Sequence, residues 1–313
     1  MTRGAPTVAA ILGATAVGKT TVGLAVAERL GAEIISIDSM QIYRGMDAGT
    51  AKPSVSERAR IPHHLIDLRP PSHELTVAEY QSLARTAIAD VSARGRTPLL
   101  IGGSGLYWRA VVDDLDFPPR SEQIRAHLEA DARAVGPHEM HRRLQRLDAV
   151  AAGAIAPANI RRTVRALEVI EITGRPFSEY ARSWNRYASR YDLRVAGLRR
   201  SRRDLFERIE VRVDAIMAAG LVNEARALAG RGLSATARQA LGYKQVLEAD
   251  PDEPVAEIRD EIVRATKRFA RRQESWFRTD PRIVWFDASV PDLLAQLVEY
   301  LGRASREHPL PNP

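Results

Sequence analysis

Eight consecutive residues carry the first recognisable chemistry. Gly13-Ala14-Thr15-Ala16-Val17-Gly18-Lys19-Thr20 has the spacing G-x-x-x-x-G-K-T. In such a loop glycine lets backbone N–H groups turn inward on an anion, and lysine adds a full charge. The Thr20 hydroxyl has the position that reaches a bound Mg²⁺. The ligand is a di- or triphosphate, and the motif does not choose between them. A second chemical group follows at Asp38, the carboxylate that ends the apolar run Glu33 to Asp38. A third is Gly102-Gly103-Ser104-Gly105, where glycines after a buried strand suggest close approach of backbone to ligand. His63 and His64 are adjacent, so on an extended chain they point apart; they are read as structural.

Elements must bring these groups together. Thr7 to Leu12 is a short apolar run, and Thr21 to Leu30 has apolar residues at helical spacing. The phosphate loop is therefore predicted to join a strand to a helix N-terminus, whose dipole favours an anion. Strands and helices go on alternating, with a helix over Thr76 to Arg94 and a strand over Thr97 to Ile101, which predicts an α/β fold on a parallel sheet. Ligands of such sheets lie beyond the carboxyl ends of the strands, so Asp38 and Ser39 are expected at the rim of the phosphate loop. The loop from Met40 to Pro53, polar and glycine-rich, suits binding. The strand at Ile101 does not end in aspartate, which counts against a motor-type ATPase.

The character changes at Asp113 to Pro119, a predicted hinge. From 114 to 190 the pattern is helical, with thirteen arginines against eight acidic side chains between Arg120 and Arg190. Leu193 to Leu198 resumes strand character. The expected organisation is thus a core from 1–113 and 191–313 with a helical insertion, 114–190. In the insertion Arg161, Arg162 and Arg165 share a helix face, with Val164 and Leu167 on the apolar side. Later helices are expected over Arg203 to Ala219, carrying Arg208 and Arg212, and over Asp260 to Arg278. The second has a basic stripe (Arg264, Lys267, Arg268, Arg271) and a core face of Ile262, Ala265, Phe269 and Trp276. The tail from Arg303 to Pro313 is expected to fray.

The net charge is +7 over 313 residues, and only four basic residues are lysine. Arginine forks onto phosphates, which fits a polyanionic partner; a compositional bias toward Ala and Arg accounts for the charge equally well. The chain has no cysteine, which removes disulfide and thiolate-metal chemistry. It has no apolar stretch of about 18 residues, so no transmembrane helix is expected. The expected setting is cytoplasmic. On these residues alone a small-molecule kinase with Asp38 activating a hydroxyl and an RNA-binding switch that uses nucleotide for control both remain open.

Taken together, the blocks resemble the tRNA dimethylallyltransferase family nearly end to end. The resemblance rests on the phosphate loop, Ile35-Ser36-Ile37-Asp38-Ser39-Met40-Gln41-Ile42-Tyr43-Arg44, Asp47-Ala48-Gly49-Thr50-Ala51-Lys52-Pro53, Ile61-Pro62-His63-His64, Gly102 to Tyr107, Arg165-Ala166-Leu167-Glu168 and Gly242-Tyr243. It implies a P-loop NTPase-like parallel-sheet core with an inserted helical domain that grips the tRNA anticodon arm. It also implies dimethylallyl diphosphate as donor, Mg²⁺ as cofactor, and alkylation of N6 of the adenosine just 3′ of the anticodon. A monomer is expected. The phosphate loop, Gly13 to Thr20, would hold diphosphate rather than ATP, with Thr20 on the metal. Asp38 would be the general base, Arg212 would meet the diphosphate, and Ser104 would lie beside the reacting base. Ser39, Met40 and Gln41, Arg125, the stretch Arg161, Arg162, Thr163, Val164 and Arg165, and Gln239, Gly242, Tyr243 and Lys244 match stretches that touch tRNA. Ala14, Val17 and Ser104 depart from the usual Pro, Ser and Thr.

Overall fold

The computed structural model describes residues 6–181 and 186–303; the tail beyond Arg303 lies outside them. Two compact units are present, Asp113–Ala188 and the remainder on either side of it. The larger unit opens with β1 (Thr7–Gly13), α1 (Lys19–Leu30), β2 (Ala32–Ile37), α2 (Val55–Arg60), β3 (His63–His64), α3 (Val77–Ala93), β4 (Thr97–Gly102) and α4 (Gly105–Val112). The smaller unit is helical, with α5 (Glu122–Leu147), α6 (Ala149–Ala154), α7 (Ile160–Thr173) and α8 (Phe177–Ala181). The chain returns with β5 (Asp192–Arg199), α9 (Arg202–Ala218), α10 (Leu221–Ala229), α11 (Ala235–Arg238), α12 (Tyr243–Glu248), α13 (Val255–Phe277), β6 (Ile283–Asp287) and α14 (Leu293–Gly302).

The six strands form one parallel sheet in the order β3-β2-β4-β1-β5-β6. Val8 to Leu12 are fully buried, as a central parallel strand covered on both faces requires. Register decides the site: Leu12 of β1 and Ile37 of β2 both stand opposite Gly102 of β4. The chain segments leaving β1, β2 and β4 therefore emerge at one rim. Gly102 must be glycine for packing: a Cβ there would overlap the Ile37 carbonyl. The sequence reading gave this glycine to a ligand; it does line the cavity at the strand ends, but the neighbouring strand is what requires glycine there. No helix among the described residues is long and apolar enough to cross a membrane.

α13 keeps Ile262 and Ala265 of its expected core face but not the rest. It starts at Val255, and its buried residues include Ile258, Ile262, Ala270, Gln273 and Phe277. Trp276 is 36% exposed and Phe269 is half-buried, so neither belongs to the core. The smaller unit packs α5, which bends at Gly136-Pro137, against α7. Leu128, Met140, Leu144, Val164 and Leu167 form its core. Ser121, Asp148 and Asn159 cap its helices through side-chain oxygens.

Candidate active site at the strand ends

The phosphate loop leaves β1 at Gly13, whose φ of +153° and closeness to Leu198 O, 2.8 Å from an added Cβ, exclude larger residues. Ala16 and Gly18 take positive φ, 64° and 109°, and Gly18 is the N-cap of α1. Two arginines hold the loop from outside: Arg208 Nε donates to Ala16 O and Arg200 Nε to Val17 O, both at 3.0 Å. Ala14 and Val17 are buried, so the two departures from the family pattern put apolar side chains into the core. Lys19 Nζ donates back to Gly13 O (2.9 Å) and Ala14 O (2.7 Å). Burial, and then the Arg212 guanidinium, lower its pKa to about 7, while Asp38 acts the other way.

These groups share one cavity of about 100 Å³. Thr15, Lys19 and Thr20 line one side, Asp38 and Gln41 another, and Arg212 of α9 a third. Arg212 has no hydrogen-bond or salt-bridge partner among the described residues. Burial holds its pKa below the usual arginine range, and the charge of Asp38 counters that. Asp38 is half-buried at the tip of β2, and its Oδ1 accepts the Met40 N–H at 2.8 Å. Cap and cavity-facing carboxylate are thus one residue. Leu24, Ile34, Pro53, Ile101 and Phe269 give the cavity an apolar wall. Ser104 lies next to this lining and is half-buried; its carbonyl accepts the Trp108 N–H at 2.9 Å.

Several residues are placed otherwise than their motifs suggest. Gln41 spends its amide inside the protein, accepting from Ser36 Oγ at 2.8 Å and donating to Thr50 O at 3.2 Å. Ser39 and Met40 stay at the half-buried rim. Gly242 and Tyr243 are buried, and the tyrosine hydroxyl donates to Glu224 and accepts the Gly49 N–H at 3.2 Å. Glu224 also accepts from the N–H groups of Asp47 (3.1 Å) and Ala48 (3.1 Å). Glycine at 49 is required because a Cβ would overlap the Tyr243 ring. The Gly-Tyr pair therefore clamps the 47–50 loop. Gln239 is exposed and Lys244 half-buried beside Glu248 (3.8 Å).

Sequence reasoning missed Gln273 and the cavity-facing sides of Phe269 and His63. Gln273 Oε1 accepts the Thr15 N–H at 2.9 Å, and Nε2 donates to Gly103 O at 2.7 Å. Its one signal was a polar residue between Ala270 and Phe277 on an apolar helix stripe. His63 Nδ1 bonds Ile61 O at 2.7 Å and His64 Nε2 bonds Glu33 at 2.8 Å, so each has a separate structural partner.

In the helical unit only part of the basic stretch is open. Arg161 and Arg162 are exposed, whereas Thr163 and Val164 are buried in the unit's core, so their side chains are not available to a ligand. Arg165 and Arg125 are committed to Glu168, which is fully buried. Arg125 reaches it at 2.5 Å, Arg165 at 2.9 Å, and the Ser121 N–H at 3.0 Å. Burial pushes the Glu168 carboxyl up, but these donors together hold it below the usual range.

Residues 41–280 match the model of a family described as IPP transferase. The chain is 52% identical over 291 residues to a tRNA dimethylallyltransferase of Streptomyces coelicolor, covering 92% of each. It is 51% identical over 296 residues to one of Thermobifida fusca, again covering 92% of each. Among solved structures it resembles the tRNA isopentenylpyrophosphate transferase of Bacillus halodurans, with TM-score 0.69, 40% identity and 95% of both chains covered. It also resembles a eukaryotic dimethylallyltransferase acting on tRNA, with TM-score 0.78 and 25% identity over 93% of this chain and 77% of that one.

Proposed function

The chain belongs to the IPP transferase family, and we propose that it transfers a dimethylallyl group from dimethylallyl diphosphate to N6 of the adenosine 3′-adjacent to the tRNA anticodon, releasing diphosphate. The observation that carries this reading is the cavity itself. It holds a phosphate loop, an arginine with no ion-pair partner, a carboxylate and an apolar wall within one enclosure. The cations suit a diphosphate, the wall suits a short hydrocarbon, and the carboxylate suits a proton acceptor.

An adenine amine is a weak nucleophile because its lone pair is delocalised into the ring. Holding it against the allylic carbon supplies much of the acceleration. The N6–carbon bond forms as the carbon–oxygen bond to diphosphate breaks, and Asp38 takes the amine proton. Lys19 and Arg212 neutralise charge building on the departing oxygens. The Thr20 hydroxyl lines the cavity and has no hydrogen-bond partner among the described residues. No group of three His, Cys, Asp or Glu side chains is gathered for a metal among them. One hydroxyl plus diphosphate oxygens and water is a donor set that suits Mg²⁺; when bound, the ion would add positive charge opposite the leaving group. The adenine must leave its stack to reach the site, at a cost of a few kcal/mol. Exposed Arg161 and Arg162 on the helical unit support the reading that this unit holds tRNA phosphates.

Incubation with dimethylallyl diphosphate, Mg²⁺ and unmodified tRNA, followed by mass spectrometry of the nucleosides, tests the reading. An N6-prenylated adenosine at the position after the anticodon is expected. Consumption of ATP with a phosphorylated small molecule as product, and no altered nucleoside, would replace it with a kinase.

A further inference from the structure

Two loops must keep a fixed distance for the transfer to work. The phosphate loop would hold the leaving group, and Gly103, at the start of the Gly103-Ser104 turn, lines the same cavity as Asp38, the group assigned to the acceptor's proton. β1 and β4 are ladder partners, but their pairing stops at Leu12 and Gly102, so the loops beyond are not held by the sheet. Gln273 spans that gap. The residue is 7% exposed, and both ends of its amide are used, by the Thr15 N–H (2.9 Å) and the Gly103 carbonyl (2.7 Å). A Cβ at residue 103 would overlap the Gln273 amide nitrogen, so glycine there admits the amide. A buried amide is tolerated only when both its ends are bonded.

We propose that Gln273 is a positioning residue, which sets the register between the phosphate loop and the Gly103-Ser104 turn and so the distance between leaving group and acceptor. The inference rests on the transferase reading above. Gln273 acts through Thr15 and Gly103; it takes no proton and carries no charge. A misplacement of about 1 Å at a reacting centre costs about 10²-fold in rate, which bounds the effect of losing the bridge.

The test uses the full chain with unmodified tRNA, comparing Gln273→Met, which keeps the volume and loses both bonds, with Gln273→Glu. For Gln273→Met the single-turnover rate at saturating substrates should fall roughly 10–100-fold, while the Kd for pyrophosphate stays within about threefold. Gln273→Glu accepts from Thr15 but, when ionised, repels the Gly103 carbonyl. Its rate should be low at neutral pH and recover toward the parent's as the solution is acidified and the carboxyl regains a proton to donate. A role in packing alone would leave both the Met variant's rate and the Glu variant's pH profile like the parent's, and that result overturns the proposal. So does a rate loss matched by an equal loss of pyrophosphate affinity, which would make Gln273 a support for binding rather than register. A parent chain that modifies no tRNA removes the transferase reading itself, an outcome separable from any behaviour of the variants.

Discussion

Replacing Asp38 by Asn separates its two roles. Asn keeps an oxygen for the Met40 N–H, which Asp38 Oδ1 accepts at 2.8 Å, and Asn caps as well as Asp does. The turn after β2 should survive and the melting temperature should not move. Chemistry should not survive, because an amide cannot take the amine proton. A positioned base is worth about 10²–10⁴-fold, or roughly 3–5 kcal/mol of barrier, so the single-turnover rate with saturating tRNA should fall into that range. The electrostatics add a second mark. Asp38 acts on both Lys19 and Arg212, and a carboxylate repels an incoming diphosphate. The carboxylate also favours the charged forms of both cations, so the two effects offset and Asp38→Asn should bind pyrophosphate within a few fold of the parent. Asp38→Ala supplies the contrast: it loses the turn bond as well, worth about 1 kcal/mol, and should melt about 2–4 °C lower. Rapid-quench turnover, calorimetric titration of pyrophosphate and a thermal melt read all three. A rate within a few fold of the parent at unchanged stability would remove Asp38 from the mechanism.

Lys19 has a folded pKa of about 7 against 10.5 in the unfolded chain. The buried charge thus weighs fully on the fold below pH 7, and the penalty fades as pH rises toward 10. Without ligand, Lys19→Met should be more stable than the parent at pH 6, by up to a few kcal/mol, with the gap closing by pH 10; parallel melts across that range check it. In the helical unit, Glu168→Gln leaves Arg125 and Arg165 without their buried carboxylate and should cost about 3–5 kcal/mol, seen in denaturant unfolding. Because the Glu168 carboxyl is held below its ordinary range, its contribution is present above about pH 4 and is lost on further acidification; an acid titration of parent and variant should converge at the bottom. Arg161 and Arg162 changed together to Ala should leave the melt alone and make the salt dependence of tRNA binding shallower, by up to about 0.9 per lost phosphate contact; an unchanged slope would leave them a solvated face. Tyr243→Phe removes the bond to Glu224 and the acceptor for Gly49, so the 47–50 loop should exchange amide protons faster and kcat/KM for tRNA should drop several-fold, both measurable on the folded variant.

Much of the site was legible because its chemistry is local in the chain. The phosphate loop spans eight consecutive residues, and their types and spacing alone placed a helix N-terminus and a lysine at one point. The end of β2 placed Asp38 at the same rim, because parallel sheets open their clefts beyond the strands' carboxyl ends. The alternation of strands and helices, and the helical stretch within it, followed from hydrophobic periodicity. What periodicity could not decide was the partner of each polar group. Gln273 and Trp276 sit on one amphipathic helix, and only the packed fold shows that the glutamine is buried against two loops while the tryptophan is exposed. Arg165 lies on a basic helix face with Arg161, yet the fold turns it toward Glu168 and leaves Arg161 in water. Gly102 and Gly103 look alike as a pair, but one yields to a strand carbonyl and the other to a side-chain amide. For Gln273 and the two glycines the deciding group comes from a distant part of the chain; for Arg165 it is Glu168, three residues on in the same helix, and only packing buries that carboxylate. A sequence states which hydrogen bonds a residue can make; tertiary packing removes water and so decides which of them it must make.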